Sequence, residues 1–414
     1  MAHEHPPSLW RWMKKSAKTI TGNNGRRVKP AMHQERSLPM ELSGHIIQYL
    51  QDDMATMIRC GLVCRTWLTI SRPHVFQEIC LDSRNADEFA SLIMHSMSTI
   101  PPSVQKLELV PSPPPDPRWL RRLVPFLGFL ADVSFLQVEN VDWSALHSNS
   151  RKNFVSTFNT LTELYLGNMT FVELSEVVTL ISSFPLLESL ALSQVSWTSS
   201  QSAGARHRLP PSLKKLKLLS TQIHPILSWI LSHDQPHRIK TLGLTSIRDA
   251  DSKALRQYMA ILGPRLEAIT MGFQEPITYS YMPIEPEPEV ESTSSPSSRT
   301  TTNPKCVVLS LLTGLRTVTL SNFINHADLV TSSSSSWAPY IIESLNSLHM
   351  ERVILEISLS DMGELDAHST DWERLDYALD RPVYANLQGV HVQVQGAYST
   401  SVETSHRYFG TASS

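Results

Sequence analysis

Cysteine is scarce in this chain: Cys60, Cys64, Cys80 and Cys306 are the only four among 414 residues. They are too few and too unevenly placed for a disulfide framework, and no secretory apolar segment opens the chain, so the expected setting is the reducing interior of a cell, cytoplasmic or nuclear. Long apolar runs are lacking too. The longest, such as LVPFLGFL at 123–130, fall well short of the roughly 18 residues a membrane helix needs, and a soluble protein with no membrane partner is expected. Neither sign of charge dominates: 36 Lys and Arg face 39 Asp and Glu, for a net charge of −3 and a pI near 6.6. That balance gives no global pull toward nucleic acid, and any charge argument must be local. Gly-rich phosphate cradles, paired carboxylates in a cleft context and Ser-His-Asp arrangements do not rise above background, so no catalytic residue and no cofactor is expected. His224 and His233 flank Trp229 on a predicted return helix, where packing is the ordinary explanation.

Hydrophobic residues make up 41% of the chain, enough for a substantial core in two to three domains. Residues 1–36 hold eight Lys or Arg against Glu4 and Glu35, with little apolar periodicity beyond SLWRWM, and read as a disordered basic arm. Within it, Lys14 and Lys15 precede Arg26, Arg27 and Lys29. That spacing is similar to a bipartite nuclear-import signal, with a solvated tail as the alternative.

The longest part of the chain is periodic. PPSVQKLELV at 101–110 and PPSLKKLKLL at 210–219 are close copies. The pattern L-x-x-L-x-L, with aliphatic substitutes, starts at Val104, Val133, Leu161, Leu187, Leu213, Ile239 and Leu266, with successive differences of 29, 28, 26, 26, 26 and 27. Later matches start at Leu315, Met350 and Leu387. A period in the twenties with this motif predicts a leucine-rich-repeat-like solenoid over 82–395, each unit supplying one strand and a return helix. The ninth repeat position, usually Asn or Cys, is Met169, Val195, Thr221, Ile247 and Phe323, so the polar ladder along the turns is expected to be missing. An insertion at 274–305, rich in Pro, Glu, Ser and Thr, is expected to be a disordered loop; the same composition also resembles rapid-turnover segments. The run TSSSSSW at 331–337 is read as a second loop, and 396–414 as a disordered tail.

Ahead of the repeats, residues 37–81 are dense in helical signals. Pro39 is read as a first helical position, Asp52-Asp53 as a cap for a second helix, and Pro73 as the close of a third stretch. At 100° per residue Tyr49, Leu42, Ile46, Leu50, Ile47 and Met40 span about half of the first helix, opposite Glu41, His45 and Gln48. The next stretch, from Met57 through Cys60, Val63, Cys64, Trp67 and Leu68 to Ile70, is similarly over-supplied. A module of about forty-five residues cannot hide all of this, and a second protein is expected to cover the surplus. Cys60 and Cys64, read as four apart on one helix face, admit three uses: metal binding, a redox pair or packing. A zinc site would need two further ligands from His33, His45, His74 or Cys80, none in a recognised spacing. A catalytic thiolate has only Arg65 beside it.

The stretch LPMELSGHIIQYLQDDMATMIRCGLVCRTWLTISRPHVFQEICL resembles an F-box. Its shared features stand at Leu38-Pro39, Glu41-Leu42, Ile46, Leu50, Thr56-Met57, Cys60, Leu62-Val63-Cys64-Arg65, Trp67, Ser71-Arg72, Phe76 and Leu81. The order and spacing are similar to fungal, basidiomycete-type F-box proteins, in which divergent leucine-rich repeats follow, as does a segment like WERLDYAL at 372–379. The resemblance implies docking on the Skp adaptor of a cullin-RING ubiquitin ligase through Leu38, Pro39, Leu42, Ile46, Ile47, Leu62, Val63 and Trp67. It also implies a non-catalytic substrate receptor whose repeats hold a target protein, or alternatively a scaffold that uses the adaptor outside a ligase. Under it Cys60 and Cys64 are packed thiols.

In a solenoid strand the x positions face outward on the concave side. They include Glu163, Tyr165, Glu188, Lys214, Lys215, Lys217, Lys240 and Glu267. The four lysines form a predicted basic patch that, with Tyr165, is either a target site for an acidic or phosphorylated segment or a solvated sheet face.

Overall fold

The computed structural model describes residues 38–50, 52–96, 98–112, 118–199, 207–233, 238–273, 309–321, 337–359, 372–396 and 403–404. The basic arm, the 274–305 insertion, Phe323, the serine run at 331–336 and most of the tail lie outside the described residues. The chain divides into two compact units, one ending at Val133 and one beginning at Ser134.

The first unit opens with three helices, α1 (Met40–Gln48), α2 (Met54–Cys60) and α3 (Arg65–Val75). Pro39 sits one place earlier than expected, as the cap of α1 with φ −52°, and its carbonyl accepts from Ser43 N at 3.0 Å. Asp53 caps α2 as the sequence implies, accepting from Thr56 N at 3.0 Å and from the Thr56 hydroxyl at 2.6 Å. Those hydrogen bonds hold its carboxyl below the usual range. Pro73 does not close α3. A proline this near the end removes a single i→i−4 bond, and the helix finishes with Phe76 N donating to Arg72 O at 3.1 Å. The core of this bundle is Ile47, Met57, Cys60, Val75 and Phe76, with Ser43 and Ser71 as small buried contacts.

The segment that follows α3 was expected to belong to the helical module and is instead a strand. β1 (Glu78–Leu81) pairs in parallel with β2 (Lys106–Leu109), Ile79 opposite Leu107 and Leu81 opposite Leu109, and Lys106 forms an ion pair with Glu78. Helices α4 (Ala86–Ile93) and α5 (Trp119–Leu127) follow these two strands and bury Phe89, Ile93, Leu120 and Leu123.

The second unit repeats the same device. Its strands β3 (Phe135–Glu139), β4 (Glu163–Gly167), β6 (Ser189–Ser193), β8 (Lys215–Leu219), β9 (Thr241–Ile247), β10 (Ala268–Phe273), β11 (Thr317–Ser321), β12 (Arg352–Leu359) and β13 (Gly389–Gly396) form one parallel ladder in that order. All nine begin two residues after a motif start, as β2 does after Val104. The motif's fourth and sixth positions alternate with period two and turn inward, as Leu164 and Leu166 do. The first position, Leu161 in the same repeat, plugs the turn before the strand. Return helices include α6 (Ser148–Thr157), α7 (Leu174–Ser182), α8 (Ile223–Leu231), α9 (Ser252–Leu262), α10 (Trp337–Ser344) and α11 (Trp372–Leu379). The last is the WERLDYAL segment; it buries Leu375 and Ala378, and its Arg374 grips Glu343 through two hydrogen bonds of 2.9 Å. Two short strands, β5 (Thr170–Glu173) and β7 (Ser196–Ser199), make a separate parallel pair, and β14 (Glu403–Thr404) lies antiparallel to β13. The architecture is therefore a short helical module followed by a parallel-strand, leucine-rich-repeat-like α/β fold.

The turns after the strands explain how the repeats stack without a full Asn ladder. The eighth repeat position is left-handed five times running, at Asn140, Asn168, Gln194, Ser220 and Ser246, with φ between 45° and 61°. This orientation turns the amide N–H toward the next repeat: Asn140 N donates to Gly167 O, Asn168 N to Ser193 O and Gln194 N to Leu219 O, at 2.8–2.9 Å. Non-glycine residues in that region carry strain, and the repeated interstrand hydrogen bond offsets it. At the ninth position Met169, Val195 and Ile247 are buried apolar plugs. Thr221 is the exception and corrects the expectation that the ladder is absent. Its hydroxyl accepts from Val195 N at 3.2 Å and lies 3.1 Å from Leu219 O, a polar rung among the apolar plugs Met169, Val195 and Ile247. Across the insertion the repeats still touch: a Cβ on Gly314 would fall 1.9 Å from Pro264 O, so that backbone approach admits only glycine.

Candidate docking surfaces

The first candidate surface arises from the half-used apolar arc of α1. Ile47 and Ser43 turn inward and are buried, while Leu42, Ile46 and Tyr49, within about 60° of one another at 100° per residue, turn out. Leu42 is 51% and Ile46 40% exposed. Leu38 and Met40, at the start of the helix, are exposed as well, as are Leu62 and Val63 in the turn between α2 and α3. Gly61 lets that turn sit tightly on α3: a Cβ there would lie 3.2 Å from Ser71 Oγ and 3.3 Å from Leu68 Cδ1. Tight seating of the turn leaves no room for Leu62 and Val63 to fold inward, and Val63 stays 67% exposed.

Of the eight residues expected on a docking face, Leu38, Pro39, Leu42, Ile46, Leu62 and Val63 are exposed and Trp67 is half-buried. Ile47 is not on that face. It is fully buried at 0% exposure, because the bundle takes the inner half of the arc for its own core. Met40 and Tyr49, absent from that set of eight, are exposed at the first residue of α1 and at its C-terminal cap; their signal was the apolar arc itself.

The two cysteines do not share a helix face. Cys60 ends α2 and is buried, whereas Cys64 is the extended cap of α3, with φ −160°, and is exposed. The break at 61–63 separates them, so only Cys60 is a packed thiol. Among the described residues no group of three or more His, Cys, Asp and Glu stands close enough to hold a metal ion, and no helix is long and apolar enough to cross a membrane.

The second candidate surface is the open face of the strand ladder. Registers place Glu163, Ser189, Lys215 and Thr241 in one row and Tyr165, Ala191, Lys217 and Gly243 in the next. Tyr165 is half-buried, and Lys215 and Lys217 are exposed. The predicted patch of four lysines is not one patch. Lys214 pairs with Glu188 at 2.7 Å and Lys240 with Glu267 at 2.6 Å, both in the row just before the strands, where Arg316 likewise pairs with Glu351 at 2.7 Å. Stacking carries them there: Lys240 N bonds to Lys214 O and Glu267 N to Lys240 O, both at 2.8 Å, which sets these side chains in register. Such exposed pairs contribute little to stability, about 0–1 kcal/mol each, but they decide which cations remain free.

Comparison with known proteins bears on the helical module first. Residues 36–82 match the family model described as F-box-like. No curated relative matches the chain. Among solved structures the chain is similar to the leucine-rich repeat-containing protein LegL7 from Legionella pneumophila, at 15% identity and TM-score 0.42, with 77% of this chain and 91% of that one covered. It is also similar to a chain in the Rad7 and Elc1 complex of yeast, at 11% identity and TM-score 0.34, with 96% and 97% covered. At this degree of superposition the fold assignment rests on the strand ladder itself. An F-box-like region joined to leucine-rich-repeat-like units is the class of protein these observations define.

Proposed function

We propose that this protein is a non-catalytic substrate receptor of a Skp-cullin-F-box ubiquitin ligase, docking on a Skp-type adaptor through residues 38–67 and holding a target protein on its strand ladder. The observation that carries the reading is the solvent-facing apolar surface of Leu38, Met40, Leu42, Ile46, Leu62 and Val63 on a three-helix module that matches an F-box-like model. Six side chains about half exposed offer on the order of 1 kcal/mol each on full burial, a gross 6 kcal/mol or so before the costs of association. Leu38, Pro39, Leu42, Ile46, Leu62, Val63 and the rim of Trp67 make the adaptor contact, with Ile47 supporting it from within.

A receptor of this kind needs no chemistry of its own. Tethering a target beside a charged ubiquitin carrier raises the effective concentration of its lysines, and the rate follows. The reading places the protein in the cytoplasm or nucleus, where such ligases work, and the order of its F-box residues supports a fungal, basidiomycete-type source.

Co-purification of the full chain tests the proposal. Wild type should bring down both adaptor and cullin, and the Pro39→Ala/Leu42→Asp variant neither. Recovery of adaptor without cullin would favour a scaffold acting outside a ligase. Adaptor captured equally by wild type and variant would overturn the docking assignment.

A further inference from the structure

We propose that residues 405–409 extend β14 along the free edge of β13 and close the end of the strand ladder, the chain's own tail serving as the covering strand. The proposal goes beyond the receptor reading and does not depend on it. Its starting point is a break in an otherwise uniform column. The motif's first, fourth and sixth residues are buried in all nine earlier repeats, from Val104, Leu107 and Leu109 to Met350, Val353 and Leu355. In the tenth, Leu387, Val390 and Val392 are half-buried. The reason is positional: an inward aliphatic is covered from both sides by neighbouring repeats, and among the described residues β13 has a repeat on one side alone. β12 pairs with all eight residues of β13, whereas on the other edge β14 pairs with two, Val392 and Gln393. An open edge beside half-bared aliphatics is a template for a further strand.

β14 identifies which strand. It is antiparallel, with Thr404 opposite Val392 and Glu403 opposite Gln393. Carried on without a slip, that register sets Ser405 opposite His391, His406 opposite Val390, Arg407 opposite Gly389 and Phe409 opposite Leu387. Five residues at about 3.4 Å each reach from Val392 back to the motif start. Opposed residues share a face, so His406 meets the inward column, with Tyr408 two places on, while Ser405 and Arg407 take the outward side. The residue types suit this place. A strand that covers the last repeat has an apolar column on one side and water on the other, and His and Tyr combine an apolar body with a polar tip. Tyr and Phe favour strands, no proline stands in 397–414, and Gly410 follows directly. A second copy pairing edge to edge would find β14 in the middle of its path, with three residues of β13 left on either side.

The test places paired cysteines in the full chain, with Cys64 and Cys306 replaced by serine. Val390→Cys/His406→Cys and His391→Cys/Ser405→Cys are opposed pairs in the proposed register. Successive opposed pairs alternate between close and wide spacing, so at least one of the two should form a disulfide within one chain. His391→Cys/His406→Cys puts the thiols on opposite faces and should oxidise on the order of tenfold more slowly. Amide exchange read by mass spectrometry reports the same contact without a crosslink. In wild type, residues 405–409 should exchange on the order of tenfold more slowly than a free peptide of the same sequence. Deletion of 405–414 should strip protection from 387–392 and leave that of β9 unchanged, which shows that the ladder is still folded. A slipped pair that oxidises as fast as the opposed pairs would overturn the proposal, as would exchange of 405–409 at the free-peptide rate. So would disulfides that link two chains, the sign that a second copy covers the edge.

Discussion

Replacing Leu42 with aspartate should separate adaptor binding from folding, because this side chain points out of a bundle that Ile47 of the same helix helps to hold together. Leu42 is 51% exposed, so an adaptor that completes its burial gains about 1 kcal/mol from it. Leu42→Ala should therefore weaken binding about fivefold. Leu42→Asp loses that contribution and also places an unpaired carboxylate in an apolar contact, an effective penalty of several kcal/mol. The sum, about 4 kcal/mol, corresponds to a Kd raised roughly a thousandfold. Stability should barely move, within about 0.5 kcal/mol, since the mutated side chain is solvated in the free protein. Ile47→Asp is the opposite case: at 0% exposure it buries a charge in the module's core and should unfold the module, abolishing binding for a different reason. Titration calorimetry with a purified Skp-type adaptor, alongside urea unfolding of each variant, measures both quantities. A Kd for Leu42→Asp within threefold of wild type, or a loss of stability rivalling that of Ile47→Asp, would refute the assigned face.

Other outcomes follow from the same structure. Met57, 1% exposed in the bundle core, should cost about 2–5 kcal/mol on substitution by alanine, read as a shifted urea midpoint. Thr221→Val should destabilise the repeats by about 1–3 kcal/mol, because Val195 N and Leu219 O lose their partner in a buried turn, and a midpoint equal to wild type would remove the rung from the account. Maleimide should label Cys64 rapidly and Cys60 only on unfolding, and a bound adaptor should slow the labelling of Cys64 beside Val63; peptide mass spectrometry reads both sites. Asp53 has a carboxyl held low by Thr56, so its stabilisation of α2 is fully present above the ordinary carboxylate pKa and is lost as pH falls through the lowered folded value. Amide protection across Met54–Cys60, corrected for the intrinsic pH dependence of exchange, should fall in acid, and Asp53→Asn, which caps without titrating, should remove that loss.

Much of the strand ladder was legible in the sequence because period and pattern are local properties. An aliphatic at positions one, four and six commits a segment to one inward row, and all ten motif starts found this way precede a strand by two residues. The same pattern stands at Phe76, Ile79 and Leu81 with an aromatic in the first place, and there it was absorbed into the helical module because those residues also carry the F-box resemblance. Helical periodicity likewise exposed the surplus of apolar surface on α1. It did not say which half of the arc the bundle would use, since that depends on where α3 lies.

Charge was the least legible property. Four lysines close in sequence read as one patch, but whether a lysine is free or neutralised depends on which glutamate sits beside it on the next strand, about 26 residues away. Only lateral register decides that. The sequence alone determined the repeat period, the helical module and its excess of apolar side chains, since each follows from residue type at fixed spacing. The tertiary structure decided that Ile47 is core, that Cys60 and Cys64 part company, that Thr221 serves as a rung, and that Lys215 and Lys217 have no acidic partner among the described residues. Each of those outcomes depends on contacts between segments that neither spacing nor composition encodes.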